Sequence, residues 1–69
     1  MLSKKVEIAL NDQVALESFS SAQYLAMASW MEGLGFEGTA TFLYKQSDEE
    51  RMHMLKLFHY VNDAGGKAK

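Results

Sequence analysis

Three side chains able to hold a metal ion stand where the sequence pattern asks for core residues: Glu17 on one helical stripe, and Glu50 with His53 on another. The first stripe runs Leu10, Val14, Glu17, Ser21, Tyr24, Ala28, Met31, and its alternating steps of four and three keep to one face of a helix. The second runs Thr39, Leu43, Gln46, Glu50, His53, Leu57, Tyr60 with the same period, which turns Glu50 and His53 the way Leu43 and Leu57 turn. Taking a carboxylate out of water costs roughly several kcal/mol unless something compensates it. Two inward carboxylates beside an imidazole therefore ask for a cation. Glu50-Arg51-Met52-His53 is a Glu-x-x-His motif, and on a helix that step brings the two Cβ atoms to about 5–6 Å on one face. Carboxylate oxygens with a single imidazole favour iron or manganese over magnesium, which seldom takes histidine, and over structural zinc, which prefers more nitrogen or sulfur. An isolated Glu-x-x-His is ordinarily a solvated surface pair. Glu17, a further ligand type on the facing stripe, is what sets this one apart.

The elements that must position these ligands are helices. The chain has no proline, reads at period 3.6 and lacks strand-like alternation, so an all-α fold is expected. Ser3 is a plausible N-cap for a helix over about 3–32; Gly33-Leu34-Gly35-Phe36 forms a turn over 33–36; a second helix covers about 37–64, opened by the acidic Glu37 and stopped by Gly65-Gly66. A turn this short forces an antiparallel hairpin. Glu17 lies as far before Gly33 as His53 lies after Glu37, so at about 1.5 Å per residue all three ligands come to a common level roughly 20–24 Å from the turn. Apolar residues also fall off the seams: Ile8, Ala15, Phe19, Ala22, Ala26 and Trp30 on the first helix, and Phe42, Met54, Leu55, Phe58 and Val61 on the second. One hairpin cannot bury two stripes per helix. The expectation for the single domain 1–69 is half of a four-helix bundle, packed against further helices.

Composition narrows the remaining classes. A chain of 69 residues buries only about 60% of its unfolded surface, and 48% hydrophobic content with five Met is high for something so small, which points to surface hidden against another chain. With no cysteine there is neither a disulfide framework nor a thiolate metal site, and a reducing compartment is the natural setting. A net charge of −2 leaves no basic stripe for nucleic acid. Neither a membrane span nor a signal peptide is indicated, so the expected location is cytoplasmic.

Other residues have competing readings. Tyr24 sits two turns from Glu17 on the same stripe, where its hydroxyl could serve a ligand carboxylate or its ring supply an electron, against the plainer role of core. Gln46, one turn from Glu50, could orient that ligand. Trp30 and His59 are rotated away, by roughly 240° from Tyr24 and His53, and read as structural or surface groups. Asp48-Glu49-Glu50 is an acidic run of the kind that usually faces water; Glu49, about 100° from Glu50, would need a partner from another helix to hold a metal.

The segments Leu10 to Glu17, Tyr24-Leu-Ala-Met-Ala, Gln46-Ser-Asp-Glu-Glu-Arg-Met-His53-Met and the Gly65-Gly66 stop together resemble the first two helices of a bacterial non-haem ferritin. The likeness covers nearly the whole chain. It implies iron as the metal, with Glu17, Glu50 and His53 holding the first iron of a ferroxidase centre and Glu50 bridging to a second. It also implies a tyrosine beside the centre at Tyr24 and an accessory iron contact at Glu49. The bundle rule abstracted from such di-iron proteins takes one Glu from each of two helices and one Glu-x-x-His from each of two others; the hairpin supplies half of that set. A ferritin subunit continues through a long crossover into a third and fourth helix. Either this chain is a piece of such a subunit, which Gly65-Gly66 favours as the start of a crossover, or two copies pair and assemble the ligands twice over.

The function expected is iron storage and detoxification: Fe(II) oxidised at a di-iron carboxylate centre by O₂ or peroxide, in a homo-oligomer. That oligomer is the family's 24-mer shell if a full subunit forms, otherwise a dimer of hairpins. Two alternatives remain. One is a catalytically silent helical assembly fragment; the other is a further di-iron carboxylate protein, such as a rubrerythrin-like peroxidase.

Overall fold

The computed structural model describes residues 2–69; residue 1, where the expected domain opens, lies outside them. Two helices, α1 (Lys4–Gly33) and α2 (Glu37–Asp63), form an antiparallel hairpin, and no strand occurs among the described residues. Ser3 is extended at φ −72°, ψ 156°, and its Oγ accepts from the Val6 N–H at 3.2 Å. That satisfies one of the first-turn amides that no helix can pair internally. Glu37 places a negative charge in the first turn of α2, where the helix dipole favours it.

Both helices end in the same way. Gly35 takes φ 87°, which lets its N–H reach Glu32 O at 3.0 Å and the Phe36 N–H reach Met31 O at 3.0 Å. Gly65 takes φ 88°, with its own N–H on Asn62 O at 3.2 Å and the Gly66 N–H on Val61 O at 2.9 Å. These paired bonds are the Schellman closure, and a residue without Cβ enters it at least cost. After α2 the chain is tied to α1: the Lys67 N–H donates to Glu7 Oε1 at 3.3 Å, the Asn11 side-chain amide donates to Lys67 O at 2.9 Å, and Asn11 Oδ1 accepts from the Lys69 N–H at 2.8 Å.

On α1 the inner face is the stripe read from sequence: Val14 and Ala28 are buried, and Leu10, Glu17, Ser21, Tyr24 and Met31 are half-buried. On α2 the stripe is rotated. Leu43, Glu50 and Leu57 belong to it as expected, but they alternate with Ala40, Ser47, Met54 and Val61; Thr39, His53 and Tyr60 are exposed. The two stripes share one column of residues and differ by a single step in the other, about 100° of rotation, so periodicity alone does not separate them. Packing does, because Ala40 and Ser47 let α2 approach Ser21 and Ala28 closely, as a column of Thr, Gln, His and Tyr would not. Val61, expected on an outer stripe, is fully buried.

The helices are joined by a polar clamp where they meet. Ser21 Oγ donates to Ser47 O at 2.9 Å, and Ser47 Oγ donates to Ser21 O at 2.8 Å. The hairpin measures 49 × 15 × 11 Å, and its broad faces carry Ile8, Phe19, Trp30 and Phe42 in the open. Among the described residues no helix is long and apolar enough to cross a membrane.

Candidate metal centre

Glu17 comes from the middle of α1 and Glu50 and His53 from the facing turn of α2, and one ligand atom of each lies within 4.8 Å of the others. His53 Nδ1 stands 3.5 Å from Glu17 Oε2 and 4.0 Å from Glu50 Oε2. At metal–ligand lengths of about 2.0–2.2 Å, two donors on one ion are at most about 4.4 Å apart. The trio is within a small side-chain adjustment of that limit. The common level expected from the turn is therefore present, and the serine clamp joins the helices beside it: Ser21 is one turn past Glu17 and Ser47 one turn before Glu50.

The environment is uneven. The side chains of Glu17 and Glu50 are 15% and 24% exposed, whereas that of His53 is 57% exposed. The expectation that all three point inward is corrected for His53: it lies on the flank of α2, turned to the open broad face, because the close-packed column is Ala40–Ser47–Met54–Val61. A metal ion held here would sit midway along the hairpin at the edge of the helix–helix seam, on the side where His53 is exposed.

Electrostatics distinguish the two carboxylates. The Glu50 carboxyl is pushed above the usual carboxylate range, first by its contact with the Glu17 carboxylate, then by burial and the Glu17 charge, with His53 opposing and nearby Glu49 adding a little. Glu17 is held below its usual range by that same contact with the Glu50 carboxyl, next by the Gln13 amide and then by His53, against burial. Two like charges at one site favour keeping a proton on one of them. Of the two, Glu50 is the one whose charged form is disfavoured.

The oxygens of Glu17 are also unequal. Oε1 accepts from Gln13 Nε2 at 2.9 Å, whereas Oε2 is buried and has no hydrogen-bond partner among the described residues. Buried polar atoms are ordinarily paired, so an orphan oxygen facing a second carboxyl and an imidazole fits a cation. Two carboxylates with one imidazole form a donor set that suits iron or manganese.

Tyr24 is half-buried on the α1 seam, but seven residues from Glu17 it lies about 10 Å along the helix. Glu49 is exposed and outside the cluster. Gln46 is half-buried, Trp30 is 65% exposed and His59 is exposed. Gln13 and the Ser21–Ser47 pair were not singled out by the ligand pattern; the signal available for Gln13 was its place one turn before an acid on the same helix.

A family model described as "Ferritin-like domain" matches residues 7–69. The chain is 52% identical over 68 residues to a probable bacterial non-heme ferritin-like protein of Haemophilus influenzae, covering 99% of this chain and 41% of that protein. It is 44% identical over 69 residues to a bacterial non-heme ferritin of Staphylococcus aureus, covering all of this chain and 42% of the relative. Among solved structures, a Chlorobium tepidum ferritin superposes with a TM-score of 0.95 at 40% identity, again over all of this chain and 42% of that one. An open pore ferritin from Archaeoglobus fulgidus does so at 0.94 and 38%, over 100% and 42%. The chain thus spans well under half the length of these relatives.

Proposed function

The chain belongs to the ferritin-like domain family, and on that premise we propose that residues 1–69 are the N-terminal half of a ferritin-like domain that stores and detoxifies iron by oxidising Fe(II) at a di-iron carboxylate centre. The observation that carries this reading is the orphan Glu17 Oε2, buried beside Glu50 and His53 with nothing else to neutralise it. In this reading Fe(II) is the substrate, and Glu17, Glu50 and His53 take the first ion. Glu50, as the carboxylate, would span to a second Fe(II), whose other ligands come from further helices or from a second copy of the chain. Each Fe(II) loses one electron, and O₂ takes two electrons and two protons to leave as H₂O₂; with peroxide as oxidant, the same two electrons and two protons yield two waters. Carboxylates favour the step because hard anionic donors stabilise Fe(III) over Fe(II). Tyr24 lies along the seam as a reserve electron or hydrogen-bond donor, and Glu49 serves as an accessory iron contact on the outer face. Oligomerisation through the open apolar faces, up to the family's closed shell, and a cytoplasmic setting for a cysteine-free chain complete the proposal.

The test is anaerobic Fe(II) titration followed by O₂, reading Fe(III) absorbance, with Glu50→Ala beside the wild type. Loss of tight Fe(II) binding and of fast oxidation in the variant is expected; wild-type rates in Glu50→Ala would remove Glu50 from the mechanism. A second reading, a silent assembly module, is favoured by the extent of apolar surface left open. It would be supported by a chain that associates normally yet binds no iron at neutral pH.

A further inference from the structure

We propose that Gln13 is a positioning residue that holds Glu17 as a one-oxygen metal ligand, with Oε2 offered to the ion and Oε1 kept out of its coordination sphere. The inference rests on the iron-site reading above and adds to it the mode in which Glu17 binds. A carboxylate can grip a cation with one oxygen or chelate it with both, and chelation fills a position that an oxidant or a bridging ligand would otherwise take. In this protein the choice is made before any ion arrives. Gln13 Nε2 donates to Glu17 Oε1 at 2.9 Å, and Oε2 alone faces His53 Nδ1 at 3.5 Å, buried and unpartnered.

The device is local and preformed. Gln13 and Glu17 are one turn apart on α1, the spacing at which side chains on a helix surface meet, so the bond needs no contact with α2 and survives any rearrangement on the open face. Gln13 is itself exposed, so its remaining amide groups are open to solvent. The amide is also the right kind of donor. A lysine or arginine at this position would grip Oε1 equally, but it would bring a positive charge within about one helical turn of the cation. Glutamine orients the ligand without repelling what the ligand must bind. Partners that orient a metal ligand commonly change affinity by about 10–100-fold when removed; an exposed bond belongs at the lower end.

The test uses Co(II) as a spectroscopic probe with the full chain, comparing wild type, Gln13→Met and Gln13→Lys. Methionine matches glutamine in helix propensity, so helicity by circular dichroism should be unchanged in Gln13→Met. In that variant Co(II) binding is expected to weaken about tenfold and the visible d–d bands to lose intensity, as the freed Oε1 adds to the coordination number. Gln13→Lys, which restores a donor, should recover the band intensity while binding stays weak because of the added charge. Unchanged affinity and bands in Gln13→Met, or bands in Gln13→Lys that match those of Gln13→Met, would overturn the assignment and leave the metal site standing. Absence of Co(II) binding in the wild type would overturn both.

Discussion

Removing the serine clamp tests whether the register between the helices is what brings the ligands together. Ser21 and Ser47 have two hydroxyl protons between them, and each is given to the other residue's carbonyl, at 2.9 and 2.8 Å. The 3.0 Å approach of the two Oγ atoms is therefore a contact and not a third full bond. Ser47→Ala deletes one donor and leaves no orphan, because the Ser21 carbonyl still accepts its own helical N–H. A net hydrogen bond is worth about 0.5–1.5 kcal/mol, and alanine returns a few tenths through helix propensity, so each single variant should lose about 0.5 kcal/mol and the double about 1 kcal/mol. For a domain this size that is a fall in Tm of roughly 2–4 °C per single variant and 4–8 °C for the pair. Thermal melts followed at 222 nm, at one protein concentration, give the numbers, and Ser18→Ala on the exposed face of α1 isolates the propensity gain. Because the two bonds are separate, the losses should add. A double variant no less stable than one of the singles would mean that they share one bond. A destabilised double variant that binds metal as tightly as the wild type would show that the clamp does not set the ligand register.

Proton competition gives a second expectation: Glu50 is raised and must lose its proton to bind a cation, so apparent metal affinity should fall as the pH is lowered toward that raised range. In Glu50→Gln the affinity should be weak and its pH dependence flatter, as isothermal titration at several pH values would show; an equally steep profile would locate the proton elsewhere. Two glycines in or beside the turn should answer alanine with opposite signs. Gly35 is at φ 87° with open space around its Cβ position, so Gly35→Ala should lose about 1–2 kcal/mol from backbone strain alone. Gly33 is helical and equally open, so Gly33→Ala should gain about 0.5–1 kcal/mol. Urea midpoints of the two variants compare them directly. Finally, Trp30 is 65% exposed, and its fluorescence should be red-shifted at low concentration and shift to the blue as the apolar faces find partners; emission independent of concentration and of added helices would leave those faces without an occupant.

Much of this protein is written locally, in features that require no knowledge of what lies across the chain. The Ser3 cap, the positive-φ closures at Gly35 and Gly65, the two helices and the antiparallel turn follow from side-chain and backbone preferences within a few residues. The meeting of Glu17 with Glu50 and His53 follows from counting rise along two helices joined by a short turn. The α1 stripe is equally legible in its period of four and three, although Ile8, Phe19 and Trp30 offer a second apolar face that the hairpin leaves open. Only the tertiary structure decides the rotation of α2: Thr39–Gln46–His53–Tyr60 and Ala40–Ser47–Met54–Val61 have the same period, and the close approach of the helices selects the smaller column. That choice turns His53 outward and leaves Glu17 Oε2 without a partner. The division of labour between the two Glu17 oxygens and the exchange of hydroxyl protons between Ser21 and Ser47 are likewise tertiary results, because rotamers and interhelical distances at the scale of a hydrogen bond are fixed by packing and have no signature in periodicity.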